Sequence, residues 1–420
     1  MDLSRIWRLA SVYAGGTLAS QLLLLASLPL LARLYAPAAF GEYAAVVAVV
    51  SVVTMVSALR FDVGLHVPRT TKVAADMRRA AVTTVVGASI GTVCVAAIAL
   101  SLRDGTSRED VLKWLVLLPG MCCLTGMFNV SSAWAARGAR HKYVAIAQIA
   151  RSAGTVSAQV VAGAYLGWST SVSLLAGALL GVILGLICLR PTAGAVTGAA
   201  FWTRRRWLRS VAVAKMFKEF PGQSTPQALL SSMSNNAATI LLVSFTNAHI
   251  AGHFALAERA VRAPISLVSA SLRQAFVQGL AKAQRANVPV DNIAKSASSK
   301  IALVLLIPVI CGFIFAPSLI DALMGEQWRE SGPVIRWMIP WFFLNALAVP
   351  FSASMHVQRQ VGSLLILELA LLLARAFVIP AAALAGSAQL AVLCAAVLPS
   401  LGSLGTILIG RTQSDKRLPR

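Results

Sequence analysis

Acidic residues are scarce in this chain of 420 residues, which has 15 Asp and Glu against 37 Lys and Arg. Charged residues of both signs make up only 12% of the sequence, whereas soluble domains carry about 25%. The shortage excludes an ordinary soluble protein, because too few charged side chains are present to cover its surface. Hydrophobic residues reach 57% and fall in blocks of about twenty, the length that crosses a bilayer. The sequence therefore predicts an all-α integral membrane protein.

Patterns that carry catalysis or bind metals are also missing. The sequence has no Walker lysine motif and no Gly-rich phosphate loop, and its six cysteines lack the spacing of metal ligands. His249 and His253 form the one close pair among five histidines, and a pair at i,i+4 without a third ligand is a poor zinc signal. The predicted outer loops are short, which argues against a membrane-embedded glycan polymerase or ligase. We predict no enzymatic activity, no metal site and no bound cofactor.

The basic residues follow a pattern that sets the membrane topology. We predict twelve spans, at 10–32, 40–59, 80–101, 111–133, 143–165, 170–189, 224–245, 252–272, 301–320, 335–355, 360–384 and 387–410. Of the 37 Lys and Arg, 27 lie in one alternate set of connecting segments and termini, six in the other set and four within spans. The positive-inside rule then places both termini in the cytoplasm. The excess of positive charge indicates topology rather than nucleic-acid binding.

Two bundles of six helices are predicted, over residues 1–200 and 224–420, with a basic amphipathic linker at 201–223 between them. The linker contains the run Phe201–Trp207, which mixes aromatic residues with arginines and is typical of a helix at an anionic headgroup surface. A weak internal repeat supports the division, because Ala39–Tyr43 lines up with Ile250–Phe254. Since each bundle has an even number of spans, the two would be parallel repeats about an axis along the membrane normal.

Ionisable side chains inside the predicted spans are few, and each costs about 2.5–3.5 kcal/mol to insert. Arginine binds phosphate through two parallel bonds and keeps its charge, so we predict that candidates for binding a phosphate or pyrophosphate head group are Arg60, Arg151, Arg259, Arg262 and Arg375. The candidates for coupling to a proton or Na⁺ are Asp62, Glu258 and Glu368. The structural alternative is an ion pair such as Glu258 with Arg262 at i,i+4, or snorkelling to the interface by Arg60 and Arg259. Arg151 stands out because no acidic residue lies within two turns of it.

Several segments resemble the bacterial polysaccharide repeat-unit flippases, which are called Wzx-like. Leu30–Tyr43 resembles the junction between the first two helices of that family, and the second half adds Lys218–Pro221, Gly252–Ala257 and Leu323–Trp328. The resemblance implies two six-helix bundles, as in multidrug and toxin extrusion (MATE) transporters and the lipid II flippase. It also implies a substrate, an oligosaccharide linked to undecaprenyl pyrophosphate, which is a repeat unit of O-antigen, capsule or exopolysaccharide. That substrate would move from the inner to the outer leaflet of a bacterial inner membrane. Our hypothesis is that the two bundles carry it by alternating access.

The resemblance further suggests partners, namely membrane lipids and the polysaccharide polymerase and chain-length machinery. A multidrug or cation antiporter of the same fold is the alternative function. Such an antiporter should have an acidic or aromatic cavity, whereas the predicted spans here hold four arginines against two acidic residues. No family motif fixes which arginines contact the substrate.

Overall fold

The computed structural model describes residues 3–101, 107–192, 203–285, 290–357 and 362–415. Over these residues the regular secondary structure is helical, with no strand. The helices are α1 (Leu3–Ala26), α2 (Leu28–Leu34), α3 (Pro37–Ser57), α4 (Phe61–Gly64), α5 (Thr71–Ser101), α6 (Arg108–Val111), α7 (Leu118–Arg137), α8 (His141–Ala164), α9 (Ser171–Leu189), α10 (Arg204–Met216), α11 (Thr225–Phe245), α12 (Ala248–Arg285), α13 (Val290–Met324), α14 (Ser331–Val357), α15 (Gly362–Leu384) and α16 (Ala388–Asp415).

Ten helical segments among the described residues are long and apolar enough to cross a membrane. The predicted fold class, an all-α membrane protein, is confirmed. The two remaining predicted spans, 143–165 and 252–272, fall on α8 and α12. These two helices carry Arg151, Glu258, Arg259 and Arg262, and their polar residues lower the mean hydropathy. A total of twelve spans stays a prediction.

Several helix ends differ from the prediction. The first predicted span, 10–32, is two helices that meet at Ser27, where Pro29 enters the first turn of α2. The fifth helix, α5, begins at Thr71, well before the expected start at residue 80, and α12 runs on to Arg285. Hydropathy marks only the apolar part of a helix, whereas the hydrogen-bonded helix continues into its polar ends. These helices therefore extend beyond the apolar spans that the sequence predicted.

The chain divides into two compact units. Unit 1 comprises Met1–Tyr35 and Ala45–Asn236, and unit 2 comprises Ala36–Ala44 and Ala237–Arg420. In unit 1, α8 packs against α9 and α1, and α5 packs against α7 and α10. In unit 2, α14 packs against α12, α13 and α16.

The basic linker forms the helix α10, which is held on unit 1 by one face. Val213 joins a buried cluster that includes Phe61 and Met77, and Ser210 is buried beside it. Trp207 and Leu208 are exposed. The described part of the predicted linker is thus an amphipathic helix, whereas Phe201 and Trp202 of that prediction lie outside the described residues.

Two glycines let the start of α3 cross α12 at very short distance within unit 2. A Cβ atom at Gly41 would lie 1.9 Å from the Ala248 carbonyl oxygen, and one at Gly252 would lie 1.8 Å from the Pro37 carbonyl oxygen. These glycines occupy equivalent positions in the internal repeat that the sequence suggested. The Phe40 ring packs edge-on against Trp328 beside this crossing, with the ring centroids 5.2 Å apart. The two glycines that correspond in the internal repeat, Gly41 and Gly252, therefore both lie where α3 crosses α12.

Replacing Gly252 with alanine should force the two backbones apart. We expect Gly252→Ala to cost about 1–3 kcal/mol, the usual penalty for overpacking a well-packed site, and to lower the midpoint of thermal unfolding in detergent. The matched control is Gly91→Ala in α5, where a Cβ atom meets nothing within 4 Å. A melting temperature for Gly252→Ala at or above that of Gly91→Ala would contradict the close crossing.

Candidate substrate site

The predicted ion pair on α12 is present and belongs to a larger contact in unit 2. Arg262 donates a hydrogen bond through Nη2 to Oε1 of Glu258, one turn earlier. The hydroxyl of Thr239, on α11, donates to the other oxygen of Glu258 at 3.1 Å. The guanidinium of Arg262 also lies 5.6 Å from the ring centroid of Trp341, on α14. Three helices therefore hold this pair.

Arg375, on α15, completes a cluster of four charged residues. Its side chain is buried, and the charged groups that act on it electrostatically are Glu258, Arg262 and Glu368. Buried charges persist only when they are paired and hydrogen-bonded, and this cluster sets two carboxylates against two guanidiniums. The two arginines differ in access, because the side chain of Arg262 is 43% exposed whereas Arg375 is 6% exposed. A ligand would reach Arg262 first.

Arg259 is half-buried on α12, the helix of the cluster. It directly follows Glu258, so the two side chains point about 100° apart around the helix. Arg262 follows it at i,i+3, so Arg259 and Arg262 are neighbours on the helix surface. The role of Arg259 as a head-group candidate stays a prediction.

Arg151 lies in unit 1, where it is half-buried between helices. Its guanidinium is 5.1 Å from the ring centroid of Phe128, and its Cβ atom faces Gly185 of α9. The neighbouring polar side chains on α8 hold helices together: Gln148 accepts a bond of 2.7 Å from Thr17, and the buried Gln159 donates one of 2.8 Å to the Leu174 carbonyl. Arg151 thus sits on an aromatic ring in a polar helix interface.

Arg60 and Asp62 lie at a strained turn at the end of α3. Leu59 and Arg60 have φ of +46° and +59°, a region that residues other than glycine rarely enter. The Nη1 atom of Arg60 is 3.3 Å from the sulfur of Met55, and the Oδ1 atom of Asp62 is buried without a hydrogen-bond partner. Such strain persists when the surrounding structure enforces it, here through the buried Phe61 and Leu65. The carboxylate of Asp62 could accept a proton or a cation.

Arg78 is a buried arginine that the sequence reasoning missed. The prediction placed it in a cytoplasmic connection at 60–79, but it lies inside α5, 5% exposed, with its guanidinium 5.1 Å from the Trp134 ring centroid. The misplacement follows from taking the start of α5 too late. The buried face of α5 includes residues at intervals of four, three and four, the spacing of one helix face: Ala74, Arg78, Ala81 and Val85. That spacing was the available signal.

Comparison with solved structures defines the class of protein. The lipid II flippase MurJ in an inward closed conformation matches with a TM-score of 0.76 at 11% identity, over 95% of this chain and 87% of that one. An inward-facing MATE transporter of the MOP superfamily matches with a TM-score of 0.62 at 16% identity, over 97% and 94% of the two chains. A MOP transporter from Pyrococcus furiosus, described as having a binding pocket of reversed polarity, matches with a TM-score of 0.58 at 14% identity, over 98% and 95%. The chain therefore has the fold of this group of multi-pass membrane transporters.

Comparison of the sequence with family models identifies the family. A family model described as "Polysaccharide biosynthesis protein" matches residues 30–333, which is most of the chain. The protein belongs to the polysaccharide biosynthesis protein family, which confirms the resemblance seen in the sequence. No curated protein matches the chain in sequence.

The charge balance around Arg375 can be tested by removing one partner and then both. Arg375→Gln should remove the buried counter-charge of Glu368 and leave Glu258 with Arg262 alone, a loss of about 3–5 kcal/mol when a buried pair is broken. The double variant Glu368→Gln with Arg375→Gln should recover part of that loss, as measured by thermal unfolding in detergent. Arg411→Gln, at an exposed position of α16, is the control and should change little. Additive losses in the double variant would show that the two side chains do not interact.

Proposed function

We propose that the protein is a flippase that moves an oligosaccharide linked to undecaprenyl pyrophosphate from the inner to the outer leaflet. Membership of a polysaccharide biosynthesis family and the fold of a lipid flippase both support this proposal. The observation that carries it is Arg262, whose side chain is 43% exposed and whose guanidinium lies beside a carboxylate and an aromatic ring. Such a position is notable in a chain with few charged residues. The translocated oligosaccharides would be substrates for a polysaccharide polymerase and its chain-length machinery. These proteins would be the partners of the flippase.

The chemistry of Arg262 suits a diphosphate. Guanidinium groups bind phosphate oxygens through two parallel hydrogen bonds and do not lose their charge. A diphosphate that reached Arg262 would compete with Glu258 for the same N–H donors, while Trp341 continues to support the flat face of the guanidinium. The substrate would therefore exchange one anionic partner of Arg262 for another, which avoids leaving the arginine without a counter-charge.

That exchange supplies a route to ion coupling. Once the diphosphate has displaced Glu258 from Arg262, the carboxylate keeps the Thr239 hydroxyl as a hydrogen-bond donor. Glu258 would then bind a proton or Na⁺, which offsets its negative charge. Glu368 in the same cluster and Asp62 in unit 1 are the further coupling candidates. The membrane potential assists the outward step, because moving one negative charge out of an inside-negative cell gains about 2.3 kcal/mol per 100 mV.

Arg151 is the second head-group candidate and lies in unit 1. Its position on Phe128 resembles that of Arg262 on Trp341, since each guanidinium lies within 6 Å of an aromatic centroid. When an aromatic ring covers the planar face of a guanidinium, the N–H groups at its edge remain available for hydrogen bonds. Arg60, Arg259 and Arg375 remain weaker candidates: Arg60 contacts a methionine, Arg259 is half-buried beside the cluster, and Arg375 is buried.

Replacing these two arginines tests the head-group assignment in cells. We expect Arg262→Ala or Arg151→Ala in a deletion strain to reduce surface polysaccharide by about tenfold or more, the effect of losing about 1.4 kcal/mol of binding. Lysine at either position keeps the charge but not the planar fork, so it should restore only part of the activity. Protein abundance in the membrane, with the exposed Arg411→Ala as control, separates folding from function. Full restoration by both Ala and Lys at a position would remove that residue from the site.

Removing the carboxylate of Glu258 tests the coupling. Glu258→Gln keeps the hydrogen-bonding shape but cannot bind a proton or cation as a carboxylate does. We expect this variant to retain transport down a substrate gradient and to lose the acceleration that an imposed proton or Na⁺ gradient gives. The exposed Glu109→Gln is the control. An unchanged response to both gradients would exclude Glu258 as the coupling residue.

A further inference from the structure

Three potential metal ligands meet at one end of unit 2. His249 and His253 lie one turn apart at the start of α12, and their ring centroids are 4.7 Å apart. Glu330 precedes α14 and follows the short helix Glu326–Trp328. One ligand atom of each of the three side chains lies within 4.8 Å of the others. The third ligand that the sequence did not show beside the histidine pair is thus supplied from 77 residues further along the chain.

His253 is held with one ring nitrogen directed at this group. The residue is 3% exposed, and its Nδ1 atom is 2.9 Å from the hydroxyl oxygen of Ser331, which is fully buried. Its Nε2 atom is buried and has no hydrogen-bond partner. A buried polar nitrogen without a partner is energetically unfavourable, and a bound ion would remove that cost. In metal sites the other ring nitrogen is commonly fixed by a second residue, and Ser331 has that position here.

The distances suit a small ion that is bound by nitrogen and oxygen. Zinc binds histidine nitrogen and carboxylate oxygen at about 2.0–2.2 Å, which sets tetrahedral ligand atoms roughly 3.3–3.6 Å apart. The Nε2 atom of His253 is 3.6 Å from Oε2 of Glu330. His249 and Glu330 are exposed, so their side chains can rotate by the small amount that closes the remaining distances. Two imidazoles and one carboxylate are a ligand set that zinc accepts with a fourth position left to water.

We propose that His249, His253 and Glu330 form a binding site for zinc or a similar divalent transition metal. The site would lie on the predicted outer face and join the start of α12 to the segment before α14. Trp328 packs against the ring of His253, with centroids 5.5 Å apart, and against Phe40 at the start of α3. A bound ion would therefore stabilise the contact in which Gly41 and Gly252 bring α3 and α12 together. This site is independent of the proposed flippase activity.

Metal titration of the purified full-length protein tests the proposal directly. In detergent, with any polyhistidine tag removed, we expect one Zn²⁺ per chain by calorimetry and a tetrahedral visible spectrum with Co²⁺. His249→Ala and Glu330→Gln should each weaken Zn²⁺ binding by about tenfold or more, because each removes a direct ligand. Loss of a residue that only hydrogen-bonds to a ligand already lowers metal affinity by about tenfold or more. His66→Ala, at an exposed histidine far along the chain, should leave the affinity unchanged.

Thermal unfolding supplies the second readout. Saturating Zn²⁺ should raise the melting temperature of the native protein, since a ligand that binds only the folded state stabilises it, and this increase should be lost in Glu330→Gln. The His249 and Glu330 variants carry the test because both side chains are exposed, whereas replacing the buried His253 could impair folding. Absence of stoichiometric binding, or an affinity in either His249→Ala or Glu330→Gln equal to that of the native protein, would overturn the proposal and leave an ordinary contact between His253 and Glu330.

Discussion

The structure depends on one constraint: charged side chains inside the membrane must be paired, because the membrane interior excludes isolated charge. A guanidinium in a membrane span is expensive unless another group shares its charge. Around Arg375 the protein meets that cost with two carboxylates, Glu258 of α12 and Glu368 of α15, and Glu258 also pairs with a second arginine, Arg262. Since replacing such a cluster with apolar side chains is often neutral or stabilising, its presence indicates a use. The use that we propose is transport of an anionic head group, which could reach the partly exposed side chain of Arg262.

The same constraint acts in unit 1 by different means. Arg78 and Arg151 each lie on an aromatic ring, Trp134 and Phe128, where the negative face of the ring partly offsets the cost of removing the cation from water. Arg137 instead donates to the backbone carbonyls of Leu65 and Pro68, both at 2.6 Å, and so fixes the segment after the strained turn at Arg60. Unit 1 therefore contacts these three arginines with aromatic rings and backbone oxygens and pairs Arg79 with Asp76, whereas unit 2 gathers two carboxylates around Arg375.

The sequence predicted the features that depend on local composition. Blocks of apolar residues predicted a helical membrane protein, and the i,i+4 spacing predicted the pair of Glu258 with Arg262, which the structure confirms. The part of α5 before residue 80 and the burial of Arg78 were missed, because a polar helix end is not distinguishable from a loop by hydropathy. The contact of Gly41 with α12 and the approach of Glu330 to the histidine pair depend on residues far apart in the chain. Spacing along one helix carries no information about such contacts.

The central claim, that a diphosphate anchored to lipid is what the protein moves, is tested most directly by leaflet exchange in proteoliposomes. The purified protein would be offered a polyprenyl pyrophosphate glycan, the same glycan on an uncharged polyprenyl lipid, and a cationic drug. The account predicts rapid exchange of the pyrophosphate substrate, little exchange of the uncharged one and no drug transport, with the first activity lost in Arg262→Ala. Equal exchange of the charged and uncharged lipids, or transport of the cationic drug alone, would contradict it.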